Sequence, residues 1–192
     1  MTNETDQLPR RGNRFSQAVA AFFFKVTGWR VAGSLPNLPK MIVIGAPHTT
    51  NWDFPLAMTL IFYLGVRLNW MAKKEFFVKP ISYLWDWLGG VPVDRKAASG
   101  MVGQTVEVIQ QRAKIVLAIA PEGTRSKVVR WRTGFYHIAH NANIPIVPVL
   151  VDYGRKTLTI TEPFTPTGDV DADLPLLQAR YQGITGKNKD QF

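Results

Sequence analysis

The sequence contains no cysteine. That absence excludes a disulfide framework, thiolate metal ligands and a covalent thiol nucleophile. Histidine is scarce as well: His48, His137 and His140 are the whole supply, which is little material for a multi-histidine zinc site. His137 and His140 can share a helix face. Packing or surface is the ordinary reading of that pair and a metal role the alternative. No metal and no bound cofactor is expected. Long apolar runs are missing too. None reaches the roughly 18–20 residues that span a bilayer, and the cleanest run near the N-terminus is Ala18–Phe24, closed by Lys25. The polar start, Met1–Arg14, lacks a signal peptide's order of charge, apolar core and cleavage site. Acidic residues are few: 14 against 23 lysines and arginines, a net charge of +9 at pH 7. A balance that basic fits an anionic partner, whether nucleic acid, an anionic membrane or a phosphorylated small molecule. The expected location is cytoplasmic, peripheral on the inner face of a membrane.

What is present is globular. Hydrophobic residues make up 46% of 192 positions, enough for one domain with a real core. Residues 1–14 are expected to be a flexible N-terminus and 15–192 a single domain. Phe15, Val19, Phe22, Val26 and Trp29 recur at helical spacing beside Arg14, Lys25 and Arg30. This predicts an N-terminal amphipathic helix, which can pack on a core or lie at a lipid interface. Buried-type strands are predicted at Met41–Ile44, Leu68–Ala72, Val91–Val93, Ile115–Ala120, Ile146–Val151 and Thr157–Thr161. Helices are predicted at Trp52–Tyr63, Lys79–Leu88, Met101–Arg112 and Gly134–Ala142, and Asp169–Phe192 reads as a terminal helix with a loose tail. Strands alternating with helices imply a single α/β domain with a mostly parallel central sheet flanked by helices. No repeat, low-complexity block or linker interrupts it.

Four segments stand out. Ala46–Asp53 follows a strand and opens a helix. If His48 lies just before that helix and Asp53 in its first turn, Asp53 can accept a hydrogen bond from one ring nitrogen of His48 and leave the other basic. Thr50-x-x-Asp53 equally resembles a helix capping box. Gly89–Arg95 sets a cation, Arg95, after a tight Gly-rich approach; a turn with a surface ion pair is the plainer reading. Pro121–Ser126 follows the strand Ile115–Ala120. Gly123 there allows close backbone approach, and Arg125 offers a planar fork suited to phosphate. Glu122, one acid among the cations Arg125, Lys127, Arg130 and Arg132, either orients an arginine or accepts a substrate hydroxyl. Ile144–Val149, with Pro145 and Pro148, reads as an edge or lead-in strand, or else as a wall for an acyl chain.

In this order the four segments resemble the four motifs of the glycerolphosphate and lysophosphatidate acyltransferases. His48–Asp53 matches the family's His-x4-Asp, Gly89–Arg95 its Gly-rich motif ending in Asp-Arg, and Pro121–Ser126 its Pro-Glu-Gly-Thr-Arg-Ser. Ile144–Val149 matches its Pro-containing apolar motif. The resemblance covers about Met41 to Val151. Ala120 stands where an aromatic residue is common, and Pro92 where bulkier residues are common. The resemblance implies fatty acyl transfer from acyl-CoA or acyl carrier protein to a hydroxyl of a lysophospholipid, 1-acyl-glycerol-3-phosphate first among the acceptors. It implies His48 and Asp53 as the catalytic pair, and Arg95, Glu122, Gly123, Thr124 and Arg125 as substrate-binding residues. The alternatives are another lysolipid acceptor, a thioesterase using His48 to activate water, and a basic nucleic-acid-binding module.

Overall fold

The computed structural model describes residues 5–94, 100–123 and 131–188. Their seven strands form one sheet in the order β1-β7-β6-β2-β5-β3-β4. The strands are β1 (Arg30–Ala32), β2 (Lys40–Ala46), β3 (Leu68–Lys73), β4 (Gly90–Val93), β5 (Ile115–Ile119), β6 (Ile146–Asp152) and β7 (Thr157–Ile160). Every pairing is parallel except β6 with β7. The helices are α1 (Arg14–Thr27), α2 (Asp53–Leu64), α3 (Ile81–Trp87), α4 (Gly100–Gln111), α5 (Gly134–Asn141) and α6 (Val170–Ala179). This is the α/β sheet expected from alternating strand and helix patterns.

The two sheet faces carry different layers because side chains along a strand alternate. Ile42, Ile44, Ile115 and Leu117 pack with Phe135, Ile138 and Leu177 of α5 and α6. Met41, Val43, Val116 and Val149 face the other way and meet Leu60 and Leu64 of α2, while Phe24 of α1 packs on Leu56 and Leu158. α1 begins with an Asn13–Ser16 capping box and ends at Gly28, whose φ of 76° suits the left-handed cap.

The α1–α3 side has an outer surface that is itself apolar. Phe15, Phe22 and Val26 on α1, Phe54 and Tyr63 on α2, and Ile81, Tyr83, Leu84 and Trp87 on α3 are all exposed. α2 is therefore apolar on both its inner and its outer side. No helix among the described residues is long and apolar enough to cross a membrane.

Several details differ from the sequence expectations. The strand at Arg30–Ala32 was not foreseen; it borrows its stability from β7 by pairing Val31 with Leu158. β6 is not an edge strand, since it pairs with β2 on one side and β7 on the other. Pro148 is accommodated there through its carbonyl, which accepts the Thr161 backbone N–H. The terminal helix stops at Ala179, and the tail behind it is held: the Thr185 carbonyl accepts the Tyr153 backbone N–H, and Asn188 Nδ2 donates to the Thr49 carbonyl. Gly186 permits that course, because a Cβ on it would lie 2.9 Å from Thr49 Cγ2. Near the start of the chain, Leu8 is buried and Arg11 donates its backbone N–H to the Gly65 carbonyl.

Candidate active site

β2 and β5 lie side by side at the centre of the sheet. The connection leaving β2 covers one face with α2, and the one leaving β5 covers the other with α5. Where neighbouring crossovers part to opposite faces, a crevice opens beyond the carboxyl ends of the strands. The loops carrying His48 and Glu122 both emerge there.

His48 and Asp53 meet. His48 Nδ1 is 3.0 Å from Asp53 Oδ2, with Asp53 buried and His48 partly open. Asp53 is the first residue of α2, so the reach that five positions cannot give along one helix comes from the loop before it. The same Oδ2 accepts the backbone N–H groups of Thr49 and Thr50, each at 2.8 Å. The carboxylate thus both caps its own loop and binds the imidazole. Oδ1 accepts the Tyr153 hydroxyl at 2.5 Å. Burial pushes the Asp53 carboxyl up, but hydrogen bonds from His48, Tyr153 and Thr50 outweigh it and leave it below the ordinary carboxylate value. An ionised Asp53 holding Nδ1 as a donor leaves Nε2 as the free basic nitrogen.

Glu122 lies beneath this pair. Its Oε2 accepts the His48 backbone N–H at 2.8 Å, so it fixes the main chain of the histidine. Oε1 is buried without a hydrogen-bond partner among the described residues. Burial raises the Glu122 carboxyl above its ordinary value, and the bond from His48 only partly offsets this. A carboxyl raised on folding favours stability below its unfolded pKa and loses that contribution as pH rises through the folded value. Glu122→Gln keeps an acceptor for His48 and carries no charge at any pH. Its melting temperature is expected to exceed the wild type's at pH 7, with the gap closing below about pH 4. A gap independent of pH would contradict the buried-carboxyl assignment.

Gly123 has φ 66°, and a Cβ there would lie 2.6 Å from Arg132 Cδ. Glycine thus serves both the turn and the close passage of the Arg132 stem. Arg132 lines the same cavity as His48 and Gly123, a cation whose place at the site was visible in sequence only as one of several behind the Pro-Glu-Gly motif. Arg95, Thr124 and Arg125 lie outside the described residues. His140 stacks on the Tyr136 ring at 6.5 Å, away from the β2–β5 crevice.

The cavity has a volume of about 690 Å³, within the ~300–1,000 Å³ usual for small-molecule sites. His48 and Asp53 line it, and it runs on between the sheet and the inner side of α2 past Leu56, Leu60 and Leu64. Leu68, also on its wall, pairs with Val116, which is level with Met41. Met41 is four residues below Gly45, about 13 Å at 3.3 Å per residue. Gly45 lines the cavity, and a Cβ on it would meet nothing within 4 Å. The missing side chain widens the channel just before the loop that carries His48.

The site thus combines a buried carboxylate, an imidazole poised on it and a deep apolar channel. The sequence matches the acyltransferase family over residues 30–152, and the chain belongs to that family. Among its relatives, a 1-acyl-sn-glycerol-3-phosphate acyltransferase of Escherichia coli is 30% identical over 112 residues, covering 55% of this chain and 44% of that protein. One of Cocos nucifera bearing the same name is 31% identical over 150 residues, covering 74% of this chain and 47% of that protein. The chain spans about half the length of the curated relatives it matches. The crystal structure of the 1-acyl-sn-glycerophosphate (LPA) acyltransferase PlsC from Thermotoga maritima shares the fold, with a TM-score of 0.61 at 22% identity over 88% of this chain and 76% of that one.

Proposed function

We propose that this protein transfers a fatty acyl group from a thioester, acyl-CoA or acyl carrier protein, to the hydroxyl of a lysophospholipid, with 1-acyl-glycerol-3-phosphate as the leading acceptor. The observation that carries this reading is the His48–Asp53 pair at 3.0 Å opening on an apolar channel under α2. His48 Nε2 takes the proton from the acceptor hydroxyl as its oxygen attacks the thioester carbonyl carbon. The new C–O bond forms, the C–S bond breaks, and the departing sulfur takes the proton back from His48. Asp53 acts through His48: it sets the tautomer and stabilises the imidazolium, as in a His–Asp pair without its serine. The channel receives an acyl chain. Arg95 and Arg125 bind the acceptor phosphate, Glu122, Gly123 and Thr124 shape that site, and Arg132 adds a cation at the mouth.

The exposed apolar residues of α1, α2 and α3, on the side of the sheet that holds the channel, support peripheral seating on a membrane surface. Lipid substrates would then lie beside the layer they have to pass.

An acceptor panel read by mass spectrometry tests the assignment. Incubation with a long-chain acyl-CoA is expected to yield diacylglycerol phosphate from 1-acyl-glycerol-3-phosphate, with lysolipids lacking an exposed phosphomonoester acylated far less. Equal acylation across the panel would contradict it. Arg125→Ala is expected to raise the acceptor KM about 10- to 100-fold, the value of one charge-assisted bidentate contact, with the donor KM unchanged. An unchanged acceptor KM would remove Arg125 from the phosphate site.

A further inference from the structure

Tyr153 lies just past the end of β6, beyond the apolar fourth motif. Its hydroxyl donates to Asp53 Oδ1 at 2.5 Å. The geometry points to Tyr153 as a positioning residue of the catalytic group, one that orients Asp53 on His48 and is itself held by Trp29 at the end of α1. This inference rests on the reading of His48 and Asp53 given above.

The two Asp53 oxygens have different tasks. Oδ2 receives His48 Nδ1 and the N–H groups of Thr49 and Thr50. Oδ1 faces the Tyr153 hydroxyl, with Thr50 Oγ1 a distant second donor at 3.5 Å. A carboxylate can turn about its Cβ–Cγ bond, and the four interactions close together fix only one rotation. Without the phenol, a buried oxygen is left with one marginal donor, and the plane of the carboxylate can swing off the imidazole. The proximity of Asp53 and burial raise the Tyr153 hydroxyl above its ordinary pKa, burial being the larger cause; the phenol remains a donor throughout the working pH range.

The tyrosine ring is clamped from the other side. Trp29 meets it edge to face, with centroids 5.0 Å apart and planes at 88°, a favoured aromatic geometry. Trp29 follows the Gly28 cap of α1 and donates its backbone N–H to the Phe24 carbonyl. Lys156 Nζ ties the same corner down by donating to the Thr27 carbonyl, and the Tyr153 N–H is held by Thr185. The chain of contacts runs from α1 through Trp29 and Tyr153 to Asp53 and His48. It joins the helix with the exposed Phe15 and Phe22 to the base.

A double-mutant cycle tests this, with acyl-CoA as donor and 1-acyl-glycerol-3-phosphate as acceptor. Tyr153→Phe keeps the ring and the Trp29 contact but removes the donor. It is expected to lower kcat about tenfold, the low end of what a hydrogen bond to a charged group is worth, and to leave both KM values within about twofold. In an Asp53→Asn background the same change is expected to cost less than about twofold, because the carboxylate it acts on is gone. Equal losses in both backgrounds would make Tyr153 merely structural and overturn the inference, as would an unchanged kcat. Trp29→Leu, which loosens the clamp and keeps the hydroxyl, gives a second cycle should Tyr153→Phe melt below the assay temperature: a kcat loss of about threefold that vanishes in the Asp53→Asn background supports the inference, and one that persists there overturns it. His48→Ala, assayed alongside, separates the two readings. If it retains activity, the dyad itself is wrong; if it is inactive while Tyr153→Phe is normal, only the role of Tyr153 falls.

Discussion

His48→Ala is expected to fold and to have no measurable turnover. A positioned general base is worth about 10²–10⁴ in rate, and of the three histidines only His48 lines the cavity, His137 and His140 lying outside it on α5. The fold should survive because the imidazole is partly open and Asp53 keeps its bonds from Thr49, Thr50 and Tyr153. A melting temperature within about 4 °C of the wild type is expected, the size of a roughly 1 kcal/mol change in a domain of this length. Asp53→Asn should cost about a hundredfold or more in kcat, because an amide can offer His48 Nδ1 its nitrogen as readily as its oxygen and so favours the wrong tautomer. Asp53→Asn should also destabilise the loop, which His48→Ala does not, since two backbone N–H groups lose their charged acceptor. Full activity in either variant would remove the dyad from the mechanism.

Gly45→Leu carries the second large effect. The added side chain points into open channel, so the fold should tolerate it and the melting temperature should hold or rise as apolar space is filled. The substrate loses that space. Excluding about four methylenes at ~0.8 kcal/mol each removes about 3 kcal/mol of binding, near a hundredfold in kcat/KM for a hexadecanoyl donor. An octanoyl donor has to pass the same point beside the His48 loop and is expected to fall as well. If neither donor is affected, the cavity is not where the acyl chain lies.

The residues differ in how visible these roles were from sequence. The strand–loop–helix around His48 and Asp53 was legible because β2 is a short buried run and the acid opens the next helix, two local signals that agree. The channel was not: Gly45 reads as one more small residue in a strand, and only its position two residues after Val43, on the same face of the sheet, puts its empty side against α2. Tyr153 was invisible for the same reason, since 100 positions separate it from Asp53. The tail over the His48 loop is held by Thr185 and Asn188, contacts that leave no periodic trace. Glu122 was singled out as an acid among cations; its partner among the described residues is a backbone N–H, and main-chain partners have no sequence signature. The interior position of β6 was missed because proline normally marks an edge; here the Pro148 carbonyl still serves Thr161. On the outer side of the helices, the apolar surface extends from α1, where periodicity showed it, to α2 and α3, where aromatic content alone had no assigned direction.

The most direct test of the central claim is thiol release from a long-chain acyl-CoA, with and without 1-acyl-glycerol-3-phosphate, for the wild type and His48→Ala. The account predicts release by the wild type only when the acceptor is present, and none from His48→Ala under either condition. Release by the wild type without acceptor, or acceptor-dependent release that persists in His48→Ala, would contradict it.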